Sequence, residues 1–400
     1  MNFPERFSKL PAYAFPRLRA ALADIPPGRS PALDLTLGEP RHPMPATLAE
    51  TLAANLAGFA KYPANDGTPA LLEAIAEWTE RRHEVALDPA TQILALNGTR
   101  EGLFNALLAL CPEAKGGKRP LVLMPNPFYP VYEVGTLAAC AEPVHVPATA
   151  ATGYLPDYAG LPPEVLDRTA IAVVCSPSNP QGAVASRAWW HELLQLAEKH
   201  DFRILSDECY SEIWRTAPPP GALELAAEAG CDPERVLAFN SLSKRSNLPG
   251  LRSGFVAGGP ASIAELKRLR AYAGAPLPGP LQAVAAAAWA DEAHVTASRA
   301  LYAAKYAAAD EILAGLPGYT PPEGGFFLWL PVPAQGCNSD GEAAAIRLWR
   351  EAGVRVLPGG YLARTVNNET PGADHIRIAM VVPEDELRDA LTRLCACLYE

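Results

Sequence analysis

The chain predicts an α/β fold: a mostly parallel sheet in a large domain sandwiched by helices, followed by a smaller α+β domain. Three observations carry that expectation. From about residue 90 to residue 260, short apolar runs alternate with amphipathic stretches, as they do when strand and helix units build a sheet covered on both faces. Glycine, proline and polar side chains stand directly after those runs. A long alanine-rich segment then leads into a C-terminal part with strands of its own.

Taken in order, the first thirty or so residues, with several prolines, read as an arm and a short helix. "QILALN", "PLVLMP", "EPVHVP", "TAIAVVCS", "FRILSD", "VLAFNS" and "SGFVAGG" read as strands, and "GLFNALLAL" and "WWHELLQLAEKH" as helices between them. After "APLPGP", the segment "LQAVAAAAWADEAHVTASRALYAAKYAAADEILAGL" has helical composition, with no internal proline or glycine until its end. It is expected to carry the chain from one domain to the next. "GGFFLWL", "VRVLPGG" and "HIRIAMV" then read as strands and "EDELRDALTRLCACLY" as a closing helix. The expected division is 1–44 for the arm and part of the small domain, 45–285 for the large domain and 286–400 for the small one.

With 400 residues, 49% of them hydrophobic and 20% charged, the chain can bury a large core and is not a disordered or fibrous protein. A net charge of −10 argues against nucleic acid as a partner. No apolar run approaches the roughly 20 residues that a membrane helix needs, and "MNFPERFSKLPAYAF" has charge and proline where a signal peptide has an apolar core. A cytoplasmic location is expected. The eight cysteines, Cys111, Cys140, Cys175, Cys209, Cys231, Cys337, Cys395 and Cys397, lack the paired spacing of a zinc site and read as small core residues in a reducing compartment. No metal is expected.

In an open parallel sheet, ligands bind beyond the carboxyl ends of the strands. Five such ends carry chemistry here: Asn97, Gly98, Thr99 and Arg100 after "ILAL", "PNPFYP" after "VLM", "SPSNPQG" after "AVVC", "DECY" after "FRILS", and "SLSK" after "VLAFN". The turn "NGTREGLF" offers free amides at a helix start, and with Ser241, Ser243 and Arg252 it would cradle a phosphate; an ordinary capped helix has the same appearance. Asp207 follows an apolar strand and needs a partner to remain ionised, although an aspartate there commonly caps the next turn. Asn179 precedes Pro180, which either aims its amide or marks a turn. Lys244, in "SLSKRSNLPGLRSGF", stands where a lysine is ordinarily solvated.

These stretches resemble the fold-type I aminotransferases that depend on pyridoxal 5′-phosphate, the class I/II group. "KYPANDGTPALLEAIAEW", "NGTREGLF", "PNPFYPVYE", "CSPSNPQGAV", "SDECYSEI", "SLSKRSNLPGLRSGF", "GGFFLWL" and "IRIAMV" occur in that family's order. The resemblance implies that Lys244 bonds the cofactor and shuttles the substrate proton, that Asp207 pairs with the ring nitrogen, and that Tyr210 and Asn179 bond the ring's phenolic oxygen. It implies Tyr129 stacked on the ring, with Phe128 the alternative if the register shifts by one. Gly98, Thr99, Arg100, Ser241, Ser243 and Arg252 match the cofactor-binding cup, and Tyr62 a tyrosine that reaches the phosphate of a neighbouring subunit, hence a homodimer with shared sites. Arg377 and Gly38 match the grip on the substrate α-carboxylate.

Within the family the chain is most similar to the succinyldiaminopimelate aminotransferases of lysine and diaminopimelate biosynthesis, through "LGEPRHP", "MPNPFYPVYE", "SDECYSEIW", "LPGGYLAR" and "TPGADHIRIA". It departs from them at Arg41, Gln181 and Thr370. The resemblance implies N-succinyl-L,L-2,6-diaminopimelate and 2-oxoglutarate as substrates. A second carboxylate on the substrate calls for a further cation, for which Arg41 and Arg364 rank ahead of Arg100 and Arg245. Rival readings on the same scaffold are an aspartate or aromatic aminotransferase and a carbon–sulfur β-lyase. A regulatory module that binds pyridoxal phosphate would need a DNA-binding domain, for which the chain has neither the length nor a basic patch.

Overall fold

The computed structural model describes residues 5–8, 10, 13–334 and 339–400. In chain order the strands are β1 (Leu33–Asp34), β2 (Ile93–Leu96), β3 (Leu121–Asn126), β4 (Glu142–Pro147), β5 (Thr169–Cys175), β6 (Arg203–Asp207), β7 (Val236–Ser241), β8 (Gly254–Gly258), β9 (Phe327–Pro331), β10 (Val354–Arg355), β11 (Leu357–Pro358) and β12 (His375–Ala379). Seven form one sheet, ordered β2-β8-β7-β6-β5-β3-β4. All its pairings are parallel except those of β8, which runs against both β2 and β7.

Every residue of β2, β3, β5 and β7 is buried, which is why these runs read as continuous apolar stretches rather than alternating ones. One face packs Leu107, Val122, Leu205 and Phe239 together, and the other Leu123, Trp190, Ile204 and Val236. Burying a leucine of this kind contributes about 1.5–3 kcal/mol. β4 is one of the two edge strands, mostly half-exposed, and the edge tolerates Pro143 and Pro147, which have no N–H to donate.

A second apolar cluster joins Leu33 and Leu35 near the N-terminus to Phe326, Leu328, Ile376 and Ile378, and to Leu387, Leu391, Leu394 and Leu398 of the closing helix Glu384–Leu398. Its sheet is antiparallel, β11-β12-β9, and β1 pairs in parallel with β10. The strand "VRVLPGG" therefore divides: Val354 and Arg355 join β1, whereas Leu357 and Pro358 join β12.

The alanine-rich segment also divides, into helices Gly279–Ala290 and Ala293–Leu313. Asp291 breaks it. Its backbone is extended, Oδ1 accepts from the Ala293 amide at 2.8 Å and Oδ2 contacts His294 Nδ1 at 2.8 Å, so a short acidic side chain starts a new helix without proline or glycine.

Of the described cysteines, Cys175 is buried and Cys111, Cys209, Cys231, Cys395 and Cys397 are half-buried against the apolar clusters, whereas Cys140 is exposed and departs from the expectation. Cys140 follows helix Val131–Ala138 with φ at 59°, a turn conformation that leaves it on the surface. Cys337 lies outside the described residues. Among the described residues no helix is long and apolar enough to cross a membrane, and no group of three His, Cys, Asp or Glu is placed to hold a metal ion.

Candidate active site

The carboxyl ends of β2, β3, β5, β6 and β7 open on a cavity of about 300 Å³. Lys244, Asp207, Tyr210, Asn179 and Tyr129 line it, as do Thr99, Arg100, Ser241, Ser243 and Arg252. Gly38 and Arg377 complete the wall from the other cluster, and Phe128 lines it beside Tyr129.

Lys244 reaches the cavity through one helical turn, Leu242–Arg245, which Ser241 caps by accepting from the Ser243 amide at 3.1 Å. Its Nζ donates to the Gly38 carbonyl and lies 5.3 Å from the Phe326 ring centre. Burial, with Arg377 and Arg252 nearby, pushes the ammonium down to about 8. A lysine so placed gives up its proton near neutral pH, as a nucleophile or base must. Arg245 faces the opposite way, donating to Glu292 at 2.6 Å beside the Trp78 and Trp289 rings.

Asp207 ends β6 between Cys175 of β5 and Phe239 of β7. Its Oδ2 accepts from the Tyr132 hydroxyl at 2.7 Å and its Oδ1 from the Cys209 amide at 3.3 Å. Both donors are neutral. Burial raises the Asp207 carboxyl above the usual range, and those hydrogen bonds offset it only in part, so the site lacks a cation opposite a buried acid.

At the anionic end, helix Thr99–Leu110 begins at Gly98, whose φ is +84°, with no side chain capping it. A Cβ on Gly98 would lie 2.5 Å from Arg252 Nη2, so only glycine lets the guanidinium approach this turn. Ser241 and Ser243 hydroxyls stand 2.9 Å apart on the same wall. Free amides, two hydroxyls and a guanidinium are a donor set for one phosphate.

Arg377 reaches the cavity from β12. It donates to Asn179 Oδ1 at 3.0 Å and to the Thr36 carbonyl at 2.6 Å, with Nε buried and without a partner. Burial lowers the guanidinium to about 10, and a carboxylate opposite it would restore its charge balance. Arg100 is exposed and holds the Tyr129 hydroxyl, Nε to Oη 2.7 Å.

The residues 30–394 match the family described as aminotransferase class I and II. The chain belongs to that family. Over its whole length this aminotransferase is 33% identical to the LL-diaminopimelate aminotransferase of Desulforudis audaxviator (strain MP104C), covering 99% of that relative. Its fold matches a crystal structure of an aminotransferase from Neisseria meningitidis Z2491 with a TM-score of 0.92 and 37% identity, over 98% of this chain and 99% of that one. A probable N-succinyldiaminopimelate aminotransferase from Thermus thermophilus matches with a TM-score of 0.83 and 28% identity, over 96% and 100% of the two chains.

The family's enzymes depend on pyridoxal phosphate, and so does this aminotransferase. The residues present fit that cofactor: a buried carboxylate without a cation, an uncapped helix start beside an arginine, and a partly buried lysine in one cavity.

Two expected site residues lie elsewhere, and Tyr62, expected at the phosphate of a neighbouring subunit, is fully exposed and does not line the cavity of its own chain. Arg41 donates to the Asp34 carbonyl at 3.2 Å. Arg364 forms a two-pronged pair with Glu133, Nε to Oε1 3.0 Å, and its amide and carbonyl are both bonded by Asn126. The ranking of Arg41 and Arg364 ahead of Arg100 is therefore reversed for placement: only Arg100 of the four lines the cavity. Sequence reasoning also missed Tyr132, Cys209, Glu39 and Phe327 on the wall, and Tyr13 and Phe15 from the N-terminal helix region. Tyr132 had a signal, since it lies in the same "PNPFYPVYE" stretch, three residues after Tyr129.

Proposed function

We propose that this aminotransferase exchanges an amino group between N-succinyl-L,L-2,6-diaminopimelate and 2-oxoglutarate, giving N-succinyl-2-amino-6-oxopimelate and glutamate, in the synthesis of diaminopimelate and lysine. The observation that carries the reading is a cavity with two guanidinium groups besides Arg252 of the phosphate cradle, buried Arg377 and exposed Arg100. 2-Oxoglutarate has two separated carboxylates, and the succinylated donor carries two beyond its reacting α-carboxylate. The names of the relatives point to diaminopimelate, and that of the Thermus neighbour to its succinylated form.

In this reading Arg377 takes the α-carboxylate with the Gly38 backbone beside it, and Arg100 takes the remote one, each a charge-assisted contact. Pyridoxal phosphate supplies an electron sink for the pair left when the Cα proton departs. Lys244 moves that proton, and its lowered basicity lets it act near neutral pH. Asp207 holds a proton on the ring nitrogen, with Tyr132 keeping the carboxylate turned toward it. Asn179 and Tyr210 donate to the ring oxygen, and Tyr129 covers the ring face. Gly98, Thr99, Ser241, Ser243 and Arg252 hold the phosphate. Tyr62, exposed in one chain, completes the phosphate site of a second copy in a homodimer working in the cytoplasm.

The unacylated LL-diaminopimelate is the second reading, favoured by the name of the 33% identical relative. A glutamate-coupled assay with 2-oxoglutarate and each donor in turn separates them. Higher kcat/KM for the succinylated donor supports the proposal. Preference for the free diamine overturns the acyl assignment, and aspartate or an aromatic amino acid outperforming both overturns diaminopimelate altogether.

A further inference from the structure

The helix that opens on the proposed phosphate cradle has an acid in its first turn, Glu101. A carboxylate there ordinarily gains from the helix dipole, but beside a phosphate dianion it is a like charge that opposes binding. The surrounding structure answers that conflict. Glu101 Oε1 accepts from Arg270 Nε at 2.7 Å and from Asn105 Nδ2 at 2.6 Å, while Oε2 accepts from the Asn97 amide at 3.3 Å.

Arg270 closes helix Pro260–Arg270 on the far side of Glu101, and its side chain is only 4% exposed. It donates further to the carbonyls of Ala95 at 2.5 Å and Asn65 at 3.4 Å. One buried guanidinium thus neutralises the acid and fixes the last residues of β2. Asn97, directly before Gly98, is held at three points: its amide by Glu101, its side chain by the Ala275 carbonyl, and its own carbonyl facing Arg252 Nη2 at 3.5 Å.

We infer that Arg270, through Glu101 and Asn97, is a positioning residue for phosphate binding: it cancels the charge of Glu101 and holds the turn on which the Gly98–Thr99 amides and Arg252 converge. Arg270 touches neither cofactor nor substrate. The inference rests on the phosphate reading of this cradle, and it adds that affinity for the phosphate depends on an ion pair behind the cradle wall.

The test uses full-length, cofactor-free protein and two ligands without the aldehyde, 4′-deoxypyridoxine 5′-phosphate and 4′-deoxypyridoxine, titrated by fluorescence. Arg270→Met is expected to weaken the phosphorylated ligand about ten- to thirtyfold while changing the unphosphorylated one less than about threefold. Adding Glu101→Gln to Arg270→Met is expected to restore affinity for the phosphorylated ligand to within about threefold of the parent, because the uncompensated charge is gone. Equal weakening of both ligands, or no rescue by the second substitution, overturns the inference and leaves Arg270 as a packing residue.

Should Arg270→Met fail to fold, Glu101→Gln alone decides. It is expected to bind the phosphorylated ligand as tightly as the parent or more tightly, and weaker binding overturns the inference. Arg252→Met separates the two levels: if it leaves the preference for the phosphorylated ligand intact, the cradle reading itself fails, whereas failure confined to the Arg270 and Glu101 variants leaves that reading standing.

Discussion

Tyr132 donates its hydroxyl hydrogen to Asp207 Oδ2 at 2.7 Å, linking a helix that follows β3 to the end of β6 across 75 residues of sequence. Both groups are buried, so the bond counts for more than one at the surface. Tyr132→Phe should cost about 1–3 kcal/mol of interaction with the carboxylate. We expect kcat to fall about three- to tenfold with KM for the amino donor little changed, read by steady-state kinetics. Asp207→Ala should fail mainly in the chemical step, with weaker cofactor retention as a lesser effect. An intact kcat in Asp207→Ala would remove this residue from the chemistry.

Lys244→Ala should still bind pyridoxal phosphate, held without a covalent bond, and lose transamination by several orders of magnitude, about 10³ or more. Absorbance of the purified protein and single-turnover kinetics check both halves. Turnover close to that of the parent would show that another group moves the proton.

The partly buried Lys244 also has a signature in stability. Its folded-state pKa lies near 8 against an unfolded value of 10.5, so between those values the unfolded chain holds a proton that the folded cofactor-free chain has released. Folding is therefore favoured as pH rises through that window. Relative to Lys244→Met, the cofactor-free parent should gain up to about 3 kcal/mol from pH 7.5 to pH 10.5. Denaturant titrations at a series of pH values measure it, and a pH-independent difference between the two proteins would contradict the burial argument.

Arg100 and Arg364 make opposite predictions. Arg100→Met should lower kcat/KM about ten- to a hundredfold for a substrate with a remote carboxylate while barely affecting alanine as donor. Arg364→Met breaks the pair with buried Glu133, so it should lower the melting temperature and leave the ratio of the two substrates unchanged. Parallel kinetics and thermal melts distinguish them; a substrate ratio that moved with Arg364 would return the remote carboxylate to that residue.

The sheet and most of the cavity wall were legible because they follow from local rules. Apolar runs ending in small and polar residues predict strand ends, and strand ends of a parallel sheet share one side. What escaped depends on distant partners. Arg364 resembled a free cation because Glu133 stands 231 residues earlier in the chain, and Tyr132 escaped because Asp207, which accepts its hydroxyl hydrogen, stands 75 residues later. The break at Asp291 escaped for the opposite reason: a single local side chain outweighed a long stretch of favourable helix composition.

β8 runs against its neighbours, so its first residue rather than its last lies at the mouth of the cavity, with Gly254 opposite Ser241. The link from β7 to β8 is thereby a tight return that leaves and re-enters the same rim. Lys244 and Arg252 both ride on it. The separation between the group that reacts and the group that would anchor a phosphate is set by the length of one short connection, not by the packing of two remote elements. An insertion of even one residue there would shift one against the other, whereas the same insertion at the exposed turn between Lys115 and Lys118, where the cavity has no wall, would be absorbed by the surface.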